Sequence, residues 1–259
     1  MKVAAILVVL TLALVHSSPI FQEKRDFTAE NDGELNDKFQ GDIILTKEQE
    51  EQLFGLKRTG LVNENYRWPN NTVVYEISSE FEQDRVESIE LGLARIEEVT
   101  CIRFVKRTDE VNYVFVTANN AGCSSNVGFL NNGMQRLNLE PGDFCFRIGT
   151  IIHEFLHTLG FYHMHSATER DDYVTIMWDN IQPGTESNFN TYGADRITNF
   201  GVEYDILSVM HYNAYSATRN GFATIVPHDI SLIDEMGQRT GLSPKDIARI
   251  NRMYYCEVV

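Results

Sequence analysis

The chain has 259 residues, 43% of them hydrophobic, which is enough for one large globular domain or two small ones. A formal net charge of -15 at pH 7 argues against nucleic acid or an anionic membrane surface as a partner. Beyond the amino terminus, no stretch of the sequence is apolar enough to cross a membrane.

The first residues have the form of a secretory signal peptide. Lys2 precedes the apolar run VAAILVVLTLALV, which is too short to span a bilayer and is followed by small residues. Val15 and Ser17 suit cleavage after Ser17, so we assign residues 1–17 to a signal peptide. We therefore expect a secreted, extracellular protein.

The four cysteines fit an exported chain. An even number indicates two disulfides, although the sequence alone permits three pairings. Bridges closing loops of these lengths stabilise a fold by about 3–5 kcal/mol in the chain-entropy model. Zinc binding by the thiols is disfavoured because the chain has no Cys-x-x-Cys pair.

Residues 18–58 differ in character from the rest of the chain. The stretches QEKRDFTAENDGELNDKF and TKEQEEQLFGLKR are polar and charged, without a sustained hydrophobic period. One apolar island, FQGDIIL, interrupts them, and the segment ends in the basic pair Lys57-Arg58. This pattern indicates a pro-segment that a trypsin-like protease removes by cutting between Arg58 and Thr59.

From Thr59 the sequence is typical of a mixed α+β domain. β-Rich runs occur at Thr72 to Ile77 (TVVYEI), from Ile102 (IRFVKR) and from Asn112 (NYVFV). Between the first two lies DRVESIELGLARIEEV, in which apolar residues recur at helical spacing. The first half of the domain is therefore predicted to combine strands with a helix.

The second half is predicted to be rich in loops. A central helix should begin near Ile148 and stop at Gly160, and the stretch from about Trp178 to Asp205 is rich in Asn, Gly, Thr and Asp. The last helix should begin after Ser243, which forms a capping pair with Asp246. These elements predict an α+β domain with a cleft between two halves.

One motif carries the chemistry, HEFLHTLGFYH from His153 to His163. Residues four apart on a helix share a face, so His153 and His157 can point at a common centre, with Glu154 beside them. Gly160 can take the left-handed conformation that ends a helix, which lets His163 approach from another side. Three neutral nitrogens leave a fourth position for water, as in a catalytic site for one Zn²⁺ per chain.

Such a site predicts hydrolysis of peptide bonds. Zinc lowers the pKa of a water and polarises a carbonyl, and Glu154 would act as the general base. The bare HExxH pattern also occurs by chance, but Gly160 and His163 at these offsets make the zinc interpretation specific. His165 has the wrong spacing from His157 for a ligand, and we expect it at the surface.

The pattern from His153 to His163 resembles the metzincins, and other motifs resemble the astacin family in particular. They are ERDDYV, DNIQPG, the stretch YDILSVMHY from Tyr204 to Tyr212, and LSPKDIARINRMYYC. The resemblance covers residues 59–259, the size of one astacin catalytic domain. It implies two subdomains with zinc in the cleft between them. The N-terminal one would contain helices and a twisted, mostly parallel sheet with an antiparallel edge strand.

The resemblance assigns roles to further residues. The family's zinc ligands and catalytic base match the histidines and the glutamate named above. Met210 matches the methionine beneath the metal. Tyr212 matches a tyrosine that ligates zinc at rest and then hydrogen-bonds the transition-state oxyanion. Gly133, Gln135 and Leu137 lie in GMQRLNL, which resembles the edge strand along which an extended peptide substrate lies. The family's disulfides would pair Cys101 with Cys256 and Cys123 with Cys145.

The resemblance also explains the pro-segment. FQGDI resembles the family's inhibitory motif, so the Asp42 carboxylate would bind the zinc in the zymogen and exclude the catalytic water. Trp68 matches a tryptophan near the mature amino terminus, which supports Thr59 as the first mature residue. The family usually has a glutamate at the position of Met164 to interact with that terminus, and a thioether cannot replace a carboxylate there.

We therefore expect a secreted, monomeric zinc endopeptidase, made as a zymogen, that cleaves peptides or proteins bound in extended form. A catalytically dead binding protein is disfavoured because every catalytic group is present. A matrixin-like metzincin is disfavoured because the pro-segment has no cysteine and Tyr212 is present. Asn70, in the sequon Asn70-Asn71-Thr72, is a candidate glycosylation site. We expect no EGF- or CUB-like module after Cys256.

Overall fold

The computed structural model describes residues 38–54, 64–193 and 197–257. The predicted signal peptide lies outside these residues, as does the predicted cleavage site between Arg58 and Thr59. Residues 38–54, which belong to the predicted pro-segment, are included and contact the rest of the described chain.

A sheet of six strands occupies the first half of the described chain. Its strands are β1 (Ile43–Ile44), β2 (Thr72–Ile77), β3 (Arg103–Lys106), β4 (Tyr113–Thr117), β5 (Cys123–Asn126) and β6 (Met134–Leu139). They lie in the order β1-β5-β6-β4-β2-β3. β5 pairs antiparallel with β6, whereas the other neighbours are parallel. The predicted mostly parallel sheet with an antiparallel strand is confirmed.

The assignment of the substrate edge to β6 is wrong. β6 pairs with β4 on one side and with β5 on the other, and its Gln135 and Leu137 are 3% and 0% exposed. Gly133 precedes this strand with a φ of 98°. On this side of the sheet β5 lies beyond β6, and its other side pairs with β1, which belongs to the predicted pro-segment. The sequence concealed this because β5 reads CSSN, a short polar run without apolar alternation.

The described helices are α1 (Lys47–Phe54), α2 (Gln83–Val99), α3 (Ile148–Leu159) and α4 (Pro244–Met253). Three of the four described helices, α2 to α4, lie close to their predicted bounds, whereas α1 falls in a polar segment for which no helix was predicted. A Cβ added to Gly92 of α2 would lie 2.6 Å from Cγ2 of Ile151, so glycine permits the close packing of α2 on α3. From Gly149 onward α3 is buried along its whole length, which places it at the centre of the domain. None of the described helices is both long and apolar enough to span a bilayer.

Beyond α3 the chain is rich in loops, as predicted. Two short strands, β7 (Val174–Ile176) and β8 (Ile225–Pro227), pair antiparallel. The described residues between them form 3₁₀ turns and bends. The capping box predicted for α4 is present, because Ser243 Oγ accepts from Asp246 N at 2.9 Å and the Asp246 carboxylate accepts from Ser243 N at 3.0 Å.

Two disulfides tie the ends of these elements together, in the pairing that the resemblance implies. Cys101–Cys256 closes a separation of 155 residues and joins the segment after α4 to the connection between α2 and β3. Cys123–Cys145 closes a separation of 22 residues and joins β5 to the loop before α3. All four cysteines of the chain are therefore in bridges.

Gly149→Ala tests how the first turn of α3 is held. Alanine normally stabilises a helix position by about 0.5–1 kcal/mol relative to glycine. Here an added Cβ would lie 2.1 Å from the main chain of Arg239, so we expect a net loss of about 1–3 kcal/mol. Chemical denaturation measures the loss. Gly142→Ala is the control, since no atom lies within 4 Å of its added Cβ. An unchanged or higher stability for Gly149→Ala would contradict this packing.

Candidate metal centre

The central helix delivers two histidines to one point. His153 and His157 lie one turn apart on α3, and both are 0% exposed. The helix ends at Gly160, whose φ of 108° is left-handed and whose N–H donates to His157 O at 2.8 Å. The chain then turns back and brings His163 to the same point. The spacing of the motif therefore has the geometric consequence expected from the sequence.

Each imidazole is oriented by an acceptor on its outer nitrogen. Nδ1 of His153 lies 2.7 Å from Val209 O, and Nδ1 of His157 lies 2.7 Å from Phe161 O. Carbonyl oxygens only accept, so each Nδ1 carries the proton and each Nε2 presents a lone pair to the centre. Nδ1 of His163 is oriented in the same way, 3.0 Å from the side-chain Oε1 of Gln40.

Asp42 completes the group. Its Oδ2 lies 3.1 Å from Nε2 of both His153 and His163, and its Oδ1 lies 3.5 Å from Nε2 of His157. One ligand atom from each of the four residues lies within 4.8 Å of the others, and all four residues are buried. We call Asp42 and the three histidines the metal centre.

The charges at the centre favour a bound cation. Burial by itself raises the pKa of Asp42, but the neighbouring histidines outweigh it and hold that pKa well below its usual value. Burial lowers the pKa of His163 to about 4, against the opposing effect of Asp42. The group is therefore a carboxylate among imidazoles that bind metals when neutral.

The donor set fits zinc. Asp42 Oδ1 and His157 Nε2 are buried and have no hydrogen-bond partner within the described chain, which is costly unless a cation lies between them. Three histidine nitrogens and one carboxylate oxygen form a common tetrahedral zinc set. Zinc is therefore the cofactor that this set of donor atoms supports.

A second carboxylate holds the turn that contains Met210. Asp246 of α4 accepts from Val209 N at 2.9 Å and from Ser208 Oγ at 2.6 Å. The same turn supplies Val209 O, the acceptor for His153. Met210 is 3% exposed, and its carbonyl accepts from Met164 N at 2.9 Å. Asp246 thus couples the first turn of α4 to the metal centre, a role that its capping pattern alone did not reveal.

Tyr212 lies beside the metal centre, and its hydroxyl bonds to a residue of the predicted pro-segment. It is 1% exposed, and its hydroxyl donates to Gln40 O at 2.5 Å. Its ring centroid lies 4.7 Å from that of His163. The resting-state ligation of zinc by this tyrosine stays a prediction for the mature chain. Glu154 is 0% exposed and follows His153 on α3.

The expectation that His165 lies at the surface is wrong. It is 0% exposed, its Nε2 lies 2.9 Å from Asn188 O, and its ring centroid lies 3.9 Å from that of Tyr212. A 3₁₀ turn at Met164–Ser166 folds the residue inward, which spacing from the ligands does not reveal. Asn70, the candidate glycosylation site, is exposed.

Comparison with known proteins places the chain among zinc proteases. A family model described as Astacin, a family of peptidases, matches residues 60–255. Seminal metalloprotease 1 of Drosophila melanogaster is 41% identical over 208 residues, which cover 77% of this chain and 82% of that protein. Human meprin A subunit beta is 39% identical over 226 residues, 87% of this chain but 31% of that relative. The chain thus spans less than half the length of some relatives.

A solved structure shows the same fold. High choriolytic enzyme 1, a hatching enzyme zinc-protease from Oryzias latipes (Medaka fish), superposes with a TM-score of 0.68 at 36% identity. The match covers 74% of this chain and 94% of the solved one.

Proposed function

The chain belongs to the astacin family of peptidases, and on that premise we propose that it is a secreted zinc endopeptidase made as a zymogen. The observation that carries the proposal is the position of Asp42, a pro-segment carboxylate within 3.5 Å of three imidazoles. Secretion is supported by the apolar leader at residues 1–17 and by two disulfides, which form in oxidising compartments.

Glu154 is the general base in this proposal. When bound, zinc supplies a Lewis acid for the substrate carbonyl and for a water molecule. The Glu154 carboxylate takes a proton from the attacking water and gives it to the departing amine nitrogen. Its place on α3, next to a ligand histidine and away from solvent, suits a proton carrier that must not exchange with bulk water.

Tyr212 is the proposed donor to the oxyanion. In the zymogen its hydroxyl donates to Gln40 O, so it already points at a carbonyl oxygen beside the metal centre. Once the pro-segment leaves, the same hydroxyl is available to ligate zinc at rest and then to donate to the oxygen of the scissile carbonyl. Donors aimed at developing charge contribute about 3–4 kcal/mol to catalysis. Met210 supports the centre by packing.

The substrate is proposed to lie along β5. In the zymogen this edge pairs with Ile43 and Ile44, and Ser125 N donates to Asp42 O at 2.9 Å. Removal of the pro-segment leaves these main-chain groups open. An exposed edge binds an extended peptide through main-chain hydrogen bonds, without regard to most of its side chains.

Removal of the pro-segment is proposed to require a cut between Arg58 and Thr59. A trypsin-like protease suits the basic pair that precedes it. The mature chain is proposed to act as a monomer with one zinc ion.

Glu154→Gln removes the base and keeps the ligands. We expect the trypsin-matured variant to retain zinc but to lose peptide hydrolysis by at least about 10²-fold, since an amide cannot accept the proton. Metal analysis and turnover of a quenched peptide measure the two quantities. Glu87→Gln, an exposed change on α2, is the control. Turnover similar to that of the parent would reject Glu154 as the base.

Tyr212→Phe removes only a hydroxyl. We expect kcat to fall by about 10–10³-fold while KM changes little, because the bond forms in the transition state. Steady-state kinetics on the matured variant separate the two constants. Tyr254→Phe also deletes a buried hydroxyl, one that donates to Leu159 O, and therefore controls for lost stability. A change confined to KM would argue against an oxyanion role.

Asp42→Ala tests latency. In an Arg58→Gln background that prevents maturation, we expect the variant to hydrolyse peptide at least about 10-fold faster than the uncut parent, because the buried anion no longer occupies the centre. Glu51→Ala, an exposed pro-segment change on α1, is the control. If the Asp42 variant hydrolyses peptide no faster than the uncut parent, this carboxylate does not maintain latency.

A further inference from the structure

The three histidines of the metal centre differ in what holds their outer nitrogens. His153 and His157 donate to main-chain oxygens of the catalytic domain, at Val209 and Phe161. His163 donates to a side chain of the pro-segment, Gln40. Two of these hydrogen bonds belong to the mature chain, and the third leaves with the pro-segment.

Gln40 is buried and is held by hydrogen bonds from both its side chain and its main chain. It is 0% exposed, and its side-chain Nε2 donates to Ser166 Oγ at 2.6 Å while its Oε1 accepts from His163 Nδ1 at 3.0 Å. Its main-chain oxygen accepts from Tyr212. Its φ of 49° is left-handed, a conformation that non-glycine residues hold only when their surroundings impose it. The amide is therefore oriented, with its oxygen facing the imidazole.

An acceptor in this position affects a metal ligand directly. A hydrogen bond from Nδ1 fixes the tautomer that leaves Nε2 free, fixes the orientation of the ring and raises the basicity of Nε2. Removal of such a partner typically weakens metal binding by about 10–100-fold.

We propose that Gln40 is a positioning residue of the metal centre, so that the pro-segment holds His163 on the zinc as well as covering the site. Asp42 and Gln40, two residues apart, then do different things. Asp42 fills the position of the catalytic water, and Gln40 supports a ligand from behind. The inference rests on the proposed zinc centre and zymogen. Cleavage of the pro-segment removes the acceptor of His163, which makes this histidine the least supported ligand of the mature chain.

A purely structural role for Gln40 makes a different prediction. Gln49 is also a buried pro-segment glutamine, 1% exposed, and its side-chain Nε2 donates to Val127 O at 2.9 Å. None of its hydrogen bonds in the described chain reaches the metal centre. If Gln40 only anchored the pro-segment, Gln40→Leu and Gln49→Leu would have the same effect on the metal.

The test measures zinc transfer from the uncut chain to a chromophoric chelator, in the Arg58→Gln background. We expect Gln40→Leu to release zinc about 10-fold faster than the parent and Gln49→Leu to stay within about twofold of it. Gln40→Glu keeps an acceptor oxygen for His163, and we expect its rate to return to within about threefold of the parent. Equal rates for the two leucine variants, or a glutamate variant as fast as Gln40→Leu, would overturn the proposal.

The readout does not depend on peptide hydrolysis. Should the matured parent cleave no peptide while Gln40→Leu still loses zinc faster, the proposed function fails and the role of Gln40 stands. Should the parent cleave peptides while the three variants release zinc at the same rate, the proposed function stands and the role of Gln40 fails. Cleavable versions of the same variants yield identical mature chains, since Gln40 and Gln49 are removed, and their activities must agree.

Discussion

The structure depends on bringing three imidazole nitrogens and one carboxylate to a single buried point. Burying such a cluster is unfavourable unless a cation neutralises the carboxylate. The helix and loops that hold the four side chains must therefore be rigid enough to keep them around one cation. α3 provides that rigidity because it is buried along its whole length from Gly149. The bonds from Nδ1 to Val209, Phe161 and Gln40 then leave little freedom in how the rings face.

The two halves of the domain contribute differently to the metal centre. The sheet and α2 support α3 from one side, and the disulfide between Cys123 and Cys145 ties β5 to the loop before that helix. The loop-rich half supplies Tyr212 and the Met210 turn, which Asp246 links to α4. The predicted pro-segment contacts both halves, since β1 extends the sheet while Gln40 bonds to Ser166 and Tyr212 of the other half. In the proposed zymogen, latency would therefore depend on contacts with both halves of the cleft.

The sequence predicted correctly those features that depend only on residues a few positions apart. The spacing of His153, His157 and Gly160 follows from helix geometry, and the capping box of α4 follows from residues three apart. The predictions that were wrong concern features that depend on contacts between residues distant along the chain. Strand order decides whether β6 is an edge, and nothing in GMQRLNL encodes its neighbours. His165 is buried because Tyr212, which lies far beyond it in the sequence, packs on it. Gln40 acquires its importance from His163, and its own segment reads only as an apolar island.

Elemental analysis of the purified, uncut chain tests the central claim most directly. The account predicts about one zinc ion per folded chain, retained through gel filtration, because four buried ligands surround it. A folded chain that contained no stoichiometric divalent metal would contradict the account at its foundation.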